Sequence, residues 1–258
     1  MTQTRADRSP SPNLSGTIIR VQRKSSGVFE VDNALSNGLV ADVKVYRQGE
    51  TVLLPEDQAD FSGVLLSGWM TASVLLAHGK RQISEIYLKG DLVEPTSEDG
   101  KSQELLQAAT DLSILKLRLP PRPEAAARWP SLVDWLEEQR HRLRVLDLEH
   151  LAALGSCNAV QRVTWLLLRL ARRMTDESMG VSTKFAFPLT QTDLADYLGM
   201  TAIHLNRTIR ELRETNVARV TNGHIMIPDL KRLERRCVIV GAVSDQLSNE
   251  TGQLLQDR

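Results

Sequence analysis

Between Thr190 and Ile227 the chain carries two short helical patterns split by a glycine, then two β-rich runs split by Asn222-Gly223. Few folds accept that order. Thr190 suits a helix N-cap, because its hydroxyl can accept a hydrogen bond from a free backbone N–H, and Asp193 follows three residues on. Leu194 and Leu198 lie four apart on one face, and Ala195 is small enough for a second helix to cross close by. Gly199 ends this helix and tolerates the positive φ of a tight turn. Thr201 opens the second helix, with Leu205, Ile209 and Leu212 as its buried face. A helix, a three-residue turn containing glycine, and a helix is the helix-turn-helix layout. Asn222-Gly223 suits a type I′ hairpin turn, since both central residues of that turn need φ > 0. A hairpin directly after the second helix is a wing.

The outward face of the second helix holds Thr201, Ala202, His204, Asn206, Arg207 and Arg210, polar or small types that fit a groove. Charge points the same way. The whole chain has 32 basic and 32 acidic residues, but Leu151 to Arg235 has 12 basic against 8 acidic. A basic surplus suits phosphate contact.

Upstream, Val28 to about Arg118 reads as β structure. Short Val, Leu and Ile segments are separated by Gly49, Gly63, Gly68, Gly79 and Gly90, as in a sandwich or roll. Ala77-His78-Gly79-Lys80 is a candidate hairpin turn, and Pro120-Pro121-Arg122-Pro123 ends the region. A long helix then starts near Pro130. Trp129, Leu132, Leu136, Gln139, Leu143, Leu146, His150 and Ala153 recur at spacings of three and four, the seam of a coiled-coil dimer helix. The same spacing also suits an amphipathic helix packed on its own domain. A further helix runs from Asn158 to Met174, with Val163, Leu166, Leu167, Leu170 and Met174 on one face and Arg162, Arg169, Arg172 and Arg173 largely elsewhere. Gly180 to Thr183 reads as a loop.

Several function classes drop out. No P-loop, Gly-rich dinucleotide motif, H-E-x-x-H or G-x-S-x-G is present, so the chain is not expected to be an enzyme. No apolar run reaches the ~18 residues of a membrane helix, and residues 1–7 do not read as a signal peptide. Cys157 and Cys237 cannot fill a four-cysteine zinc or iron–sulfur site, and no metal is expected. A reducing cytoplasm is the expected location. Cys157 is either a redox-sensitive thiol or a small core residue. His78 is either a haem ligand or a solvated loop residue.

Phe187-Pro188-Leu189-Thr190-Gln191-Thr192-Asp193-Leu194-Ala195-Asp196-Tyr197-Leu198-Gly199-Met200-Thr201 resembles the helix-turn-helix of the Crp/Fnr family of transcription regulators. His204-Leu205-Asn206-Arg207 is similar to the recognition helix of one bacterial branch, and Gly223 to Leu233 resembles its wing and the segment after it. Arg47-Gln48-Gly49-Glu50, Leu66-Ser67-Gly68-Trp69, Gly79 to Ile83 and Gly90-Asp91-Leu92-Val93 resemble landmarks of its sensor.

The resemblance implies an α+β chain: a β-roll like the cyclic-nucleotide-binding jelly roll, a long dimerisation helix and a C-terminal winged helix-turn-helix. The expected divisions are a partly disordered segment over 1–27, the roll over 28–125, the dimer helix over 126–154, the winged helix over 155–235 and a tail over 236–258. The expected partners are double-stranded DNA, a second copy of the chain and, as a further candidate, RNA polymerase. Arg207 is the expected base-reading residue, with the family's recognition helix carrying Arg at the matching position. Asn206 suits adenine, and Ala202 and Ile203 suit a thymine methyl. Family members often carry Glu where Ile203 stands, which puts the usual half-site in doubt. Thr190, Thr192, Thr201, His204, Arg210, Arg213, Asn222 and His224 are phosphate candidates, with pairing to Glu214 the alternative for Arg210 and Arg213. The expected dimer contacts are Leu132, Leu136, Gln139, Leu143, Leu146 and His150.

The effector is not legible. The family's cyclic-nucleotide pocket needs a Gly-Glu pair and an Arg soon after. Here Gly90-Asp91 is followed by an acidic stretch without Arg, so cAMP is not expected. The other reading kept open is a metabolite-sensing or protein-docking module whose winged helix does not bind DNA.

Overall fold

The structure is a computed structural model, and it describes residues 20–21, 29–30, 38–174, 183–221 and 223–239. Most of the expected N-terminal segment, most of the loop at 180–183, Asn222 and the tail beyond 239 lie outside the described residues. The chain forms two compact units, residues 1–71 with 87–139, and residues 72–86 with 140–258. The expected boundaries follow secondary structure. The units follow packing, and divide inside two strands and one long helix.

In the first unit, β1 (Arg20–Val21) pairs antiparallel with β2 (Phe29–Glu30). β3 (Val40–Tyr46) and β5 (Ser62–Ser67) belong to one sheet, and β4 (Thr51–Leu53) lies in another. β6 (Met70–Leu75) and β7 (Arg81–Tyr87) come next in the chain. They are followed by β8 (Leu92–Val93), β9 (Ser97–Glu98), β10 (Lys101–Ser102), β11 (Leu105–Ala108) and β12 (Leu112–Arg118). One antiparallel sheet has the order β3-β12-β5-β8, and β4 pairs with β11. Central β12 buries Leu112, Ile114, Leu115 and Leu117, the β-branched and leucine content that a strand paired on both sides needs. Gly68 has φ +84°, and a Cβ there would lie 2.3 Å from the Asp111 carbonyl oxygen. Only glycine fits that approach.

Two helices follow, not one. α1 (Arg122–Arg128) carries Pro123 in its first turn, and α2 begins at Pro130 and runs to Ser156. Each proline sits where a helix N–H has no intrahelical partner. The proline cluster, expected only to end the β region, also opens α1.

The expected dimer seam does not face outward. Leu132, Leu136, Gln139 and His150 are each no more than 6% exposed within a single copy, and Leu143 and Leu146 are half-buried. The large apolar residues that α2 leaves exposed are Val145 (40%), Leu148 (52%) and Leu151 (67%). Adding two to each expected seam position gives Ser131, Asp134, Glu138, His141, Val145, Leu148, Ala152 and Gly155, all exposed except half-buried Glu138. Two residues are about 200° of helix rotation. The three-and-four spacing therefore marks the face that α2 turns into its own chain, and the opposite face is the free one.

The second unit holds the β6–β7 hairpin from Ala72 to Ile86, the end of α2, and the remaining elements. The hairpin closes through a 3₁₀ turn at Ala77–Gly79, with Leu76 N–H donating to Lys80 O at 2.7 Å. α3 (Ala159–Arg173) opens on a capping box, in which Asn158 and Gln161 satisfy each other's backbone N–H. Every residue from Val163 to Ala171 is buried, including Arg169, whose spacing puts it largely off the expected apolar face.

Candidate nucleic-acid interface

β13 (Lys184–Phe187) leads into α4 (Gln191–Leu198) and α5 (Ala202–Glu214). β14 (Arg219–Thr221), β15 (Gly223–Met226) and α6 (Leu230–Glu234) complete the unit. Thr190 caps α4 by accepting from Asp193 N–H at 3.1 Å, while Asp193 Oδ2 accepts from Thr190 N–H at 2.8 Å. Gly199 ends α4 at φ 60°, ψ 43°, and a Cβ there would lie 3.0 Å from Leu154 Cδ2. Thr201 caps α5, accepting from His204 N–H at 3.2 Å.

α5 separates its two faces cleanly. Leu205, Thr208, Ile209 and Leu212 are buried, and Thr201, Ala202, Ile203, His204, Asn206, Arg207, Arg210 and Arg213 are exposed. Ile203, at 71%, is the most exposed large apolar side chain among the described residues. A groove of about 570 Å³ lies between this face, at Thr201, Ile203, His204, Arg207 and Glu211, and Asn158 to Val160 before and within α3. Among the described residues Arg207 has no carboxylate within ion-pair distance. Arg210 instead pairs with Glu214 at 2.7 Å, four residues on, and hydrogen bonding to that carboxylate raises its pKa. Both are exposed, so the pair is weak and exchangeable.

Thr190 and Thr192 are exposed at the start of α4, although the Thr190 hydroxyl already donates to Asp193 Oδ2 at 2.7 Å. In the wing β15 is the middle strand, with β13 on one side and β14 on the other. Arg219 pairs with Met226 and Thr221 with His224, and Gly223 has φ +86°. His224 is exposed, and Asn222 lies outside the described residues. β13, the third strand, lies outside the two β-rich runs that mark the wing in the sequence.

Behind the exposed face is a buried polar cluster. Glu85 on β7 accepts from Arg169 Nη2 with both oxygens, at 2.7 and 2.9 Å, and from Arg173 at 3.5 Å. Burial works against the Glu85 charge, but Arg169 and Arg173 outweigh it and hold the carboxyl below its ordinary range. Arg169 Nη1 donates to the Tyr197 hydroxyl at 2.5 Å. Burial pushes that phenol well above its ordinary value. His150 stacks on Tyr197 with ring centroids 4.1 Å apart, and its Nε2–H donates to the Tyr197 carbonyl at 2.8 Å. Arg162 donates to Leu154 O, Cys157 O, Leu198 O and Gly199 O, tying the end of α2 to the turn after α4. Sequence spacing carries no sign of this cluster, because Glu85 and Arg169 are 84 positions apart.

Residues 161–236 match the family model described as a Crp-like helix-turn-helix domain. The transcriptional activator protein FnrL of Cereibacter sphaeroides is 30% identical over 195 residues, 73% of this chain and 77% of that protein. The nitrogen fixation regulation protein FixK of Bradyrhizobium diazoefficiens is 27% identical over 189 residues, 73% of this chain and 79% of that protein. Among solved structures, FixK2 from Bradyrhizobium japonicum superposes with a TM-score of 0.68 at 24% identity, covering 78% of this chain and 98% of that one. A CooA mutant from Carboxydothermus hydrogenoformans gives 0.63 at 17%, covering 79% and 89%. These two likenesses support the fold: a β-strand unit, a long helix and a winged helix-turn-helix. With the similarity to FnrL extending over about three-quarters of both proteins, the chain belongs to the Crp/Fnr family of DNA-binding transcription regulators.

Proposed function

We propose that the chain reads DNA as a symmetric dimer, with α5 lying in the major groove and its N-terminal residues against the base edges. The observation that carries this is the division of α5 into a packed apolar face and an exposed face of small, polar and basic residues. Arg207 is the principal base contact, because an exposed guanidinium with no ion pair among the described residues can engage O6 and N7 of guanine together. Asn206 suits adenine, and Ala202 and Ile203 suit a thymine methyl. Thr190, Thr192, Thr201, His204, Arg210, Arg213, Asn222 and His224 anchor phosphates and set the register. Arg210 exchanges Glu214 for phosphate on binding.

The second copy packs along the free face of α2, at His141, Val145, Leu148, Ala152 and Gly155, with Leu151 beside them. This replaces the seam expected from sequence, whose residues are already largely covered within one copy. Gly155 supports it. A glycine in a helix costs about 1 kcal/mol relative to alanine. A Cβ at Gly155 would meet nothing within 4 Å in its own chain, so intrachain packing gives no reason for glycine there. Close approach of a second helix does. A two-fold dimer reads a pseudo-palindrome with half-sites about one helical turn apart. The relative named as a transcriptional activator supports RNA polymerase as the protein partner of the DNA-bound form.

The test is selection of bound duplexes from a random-sequence pool, followed by titration of Arg207→Ala on the selected site. The expected loss is about 1–3 kcal/mol, with relaxed preference at one base pair in each half-site. An equal loss on random duplex makes Arg207 a phosphate anchor instead.

A further inference from the structure

The β6–β7 hairpin is remote in sequence from the reading helices, yet residues 72–86 belong to the same compact unit. Arg81 Nε donates to Asp196 at 2.9 Å, and its Nη2 donates to Asp193, so one guanidinium bridges two carboxylates three residues apart on α4. Gln82 Nε2 donates to the Tyr197 carbonyl at 3.1 Å, the same oxygen that His150 of α2 engages. Glu85 reaches the Tyr197 hydroxyl through Arg169. The hairpin therefore grips α4 at Asp193, Asp196 and Tyr197, while the exposed face of α5 stays open.

We propose that Arg81 and Glu85 are positioning residues for DNA recognition. They hold the helix pair at the one setting, relative to α2, that fits two half-sites at once. The proposal rests on the dimeric reading above. The chain enters the hairpin at Thr71 and leaves it at Tyr87, both in the first unit, so the grip lies on a covalent path from the β-strand unit to the reading head. Its physical basis is leverage. A tilt of a few degrees displaces a helix carried a few turns from its pivot by an appreciable part of the ~3.4 Å rise of one base pair. A single half-site tolerates such a tilt by shifting the whole protein, whereas two half-sites joined by a rigid dimer do not.

The variant is Arg81→Gln, in a side chain 26% exposed, so the buried Glu85–Arg169 pair and the fold are retained. Glu85→Gln is the second variant and Arg81→Lys the conservative rescue. Binding of the full chain is measured on three duplexes built from the selected site: both half-sites at the selected spacing, both with one base pair inserted between them, and one half-site alone. Wild type is expected to prefer the selected spacing by about tenfold or more, and Arg81→Gln to weaken that complex about five- to tenfold. The variant's preference for spacing shrinks towards parity, its affinity for the single half-site is unchanged, and Arg81→Lys recovers part of the loss.

Equal loss on all three duplexes, with a salt dependence shallower by about one unit, overturns the proposal and makes Arg81 a phosphate contact. Unchanged spacing preference in both Gln variants overturns it as well. Wild type that ignores spacing defeats the dimeric reading, and the proposal with it, whereas wild type that discriminates beside variants that do likewise defeats the proposal alone.

Discussion

Glu85→Gln isolates the buried charge that faces Arg169. The pair is bidentate at 2.7 and 2.9 Å, with the two side chains 8% and 3% exposed, so bulk water screens it little. Removing one partner of such a pair leaves the other charge desolvated and costs about 3–5 kcal/mol. Gln still accepts a hydrogen bond and Arg173 stays nearby, which places the expected loss near the low end, at about 3 kcal/mol. Arg169→Met is expected to cost as much, because Glu85 then keeps only the longer Arg173 ion pair and the Ile86 N–H at 2.7 Å. Glu85→Leu combined with Arg169→Met leaves neither charge and is expected to be at least about 2 kcal/mol more stable than the sum of its single changes predicts. Urea unfolding followed by circular dichroism, with slopes compared against wild type, reads this as a midpoint shift of about 1 M for each single variant. Additive single and double variants, or a loss under about 1 kcal/mol for Glu85→Gln, refute the reasoning and mean that the pair is solvated.

Two further outcomes follow from the same geometry. Burial lowers the His150 pKa, so between the folded value and the unfolded value near ~6.5 the unfolded chain binds more protons. Stability from His150 is thus complete above about pH 6.5 and falls as pH drops below it, while the Glu85 share is lost only below the ordinary carboxylate range. Melting between pH 7.5 and 5.5 is expected to show a decline that His150→Phe, which keeps a ring against Tyr197, flattens; an identical slope in the variant removes His150 as the cause. Leu148→Glu on the free face of α2 is expected to give a folded monomer by analytical ultracentrifugation, while Leu132→Ala, on the inward face, is expected to lower stability by about 2–5 kcal/mol. A Leu148→Glu dimer of wild-type affinity sinks the assigned face.

The reading head is written in local residue order. Thr190, Asp193, Gly199, Thr201 and Gly223 act through hydrogen bonds and backbone angles within a few residues, so their spacing carried the caps, the turn and two of the three wing strands, but not β13. Periodicity likewise located α2, but could not say which side of it faces inward. Leu143, Leu146 and His150 repeat at the same intervals as Val145, Leu148 and Ala152, two positions around the helix. Only the packed chain, by covering the first set and leaving the second bare, told them apart. The hidden cluster of Glu85, Arg169, Tyr197 and His150 left no trace in the order of residues. A buried charge finds its partner through space, and the partner's place along the chain follows from the topology of the fold.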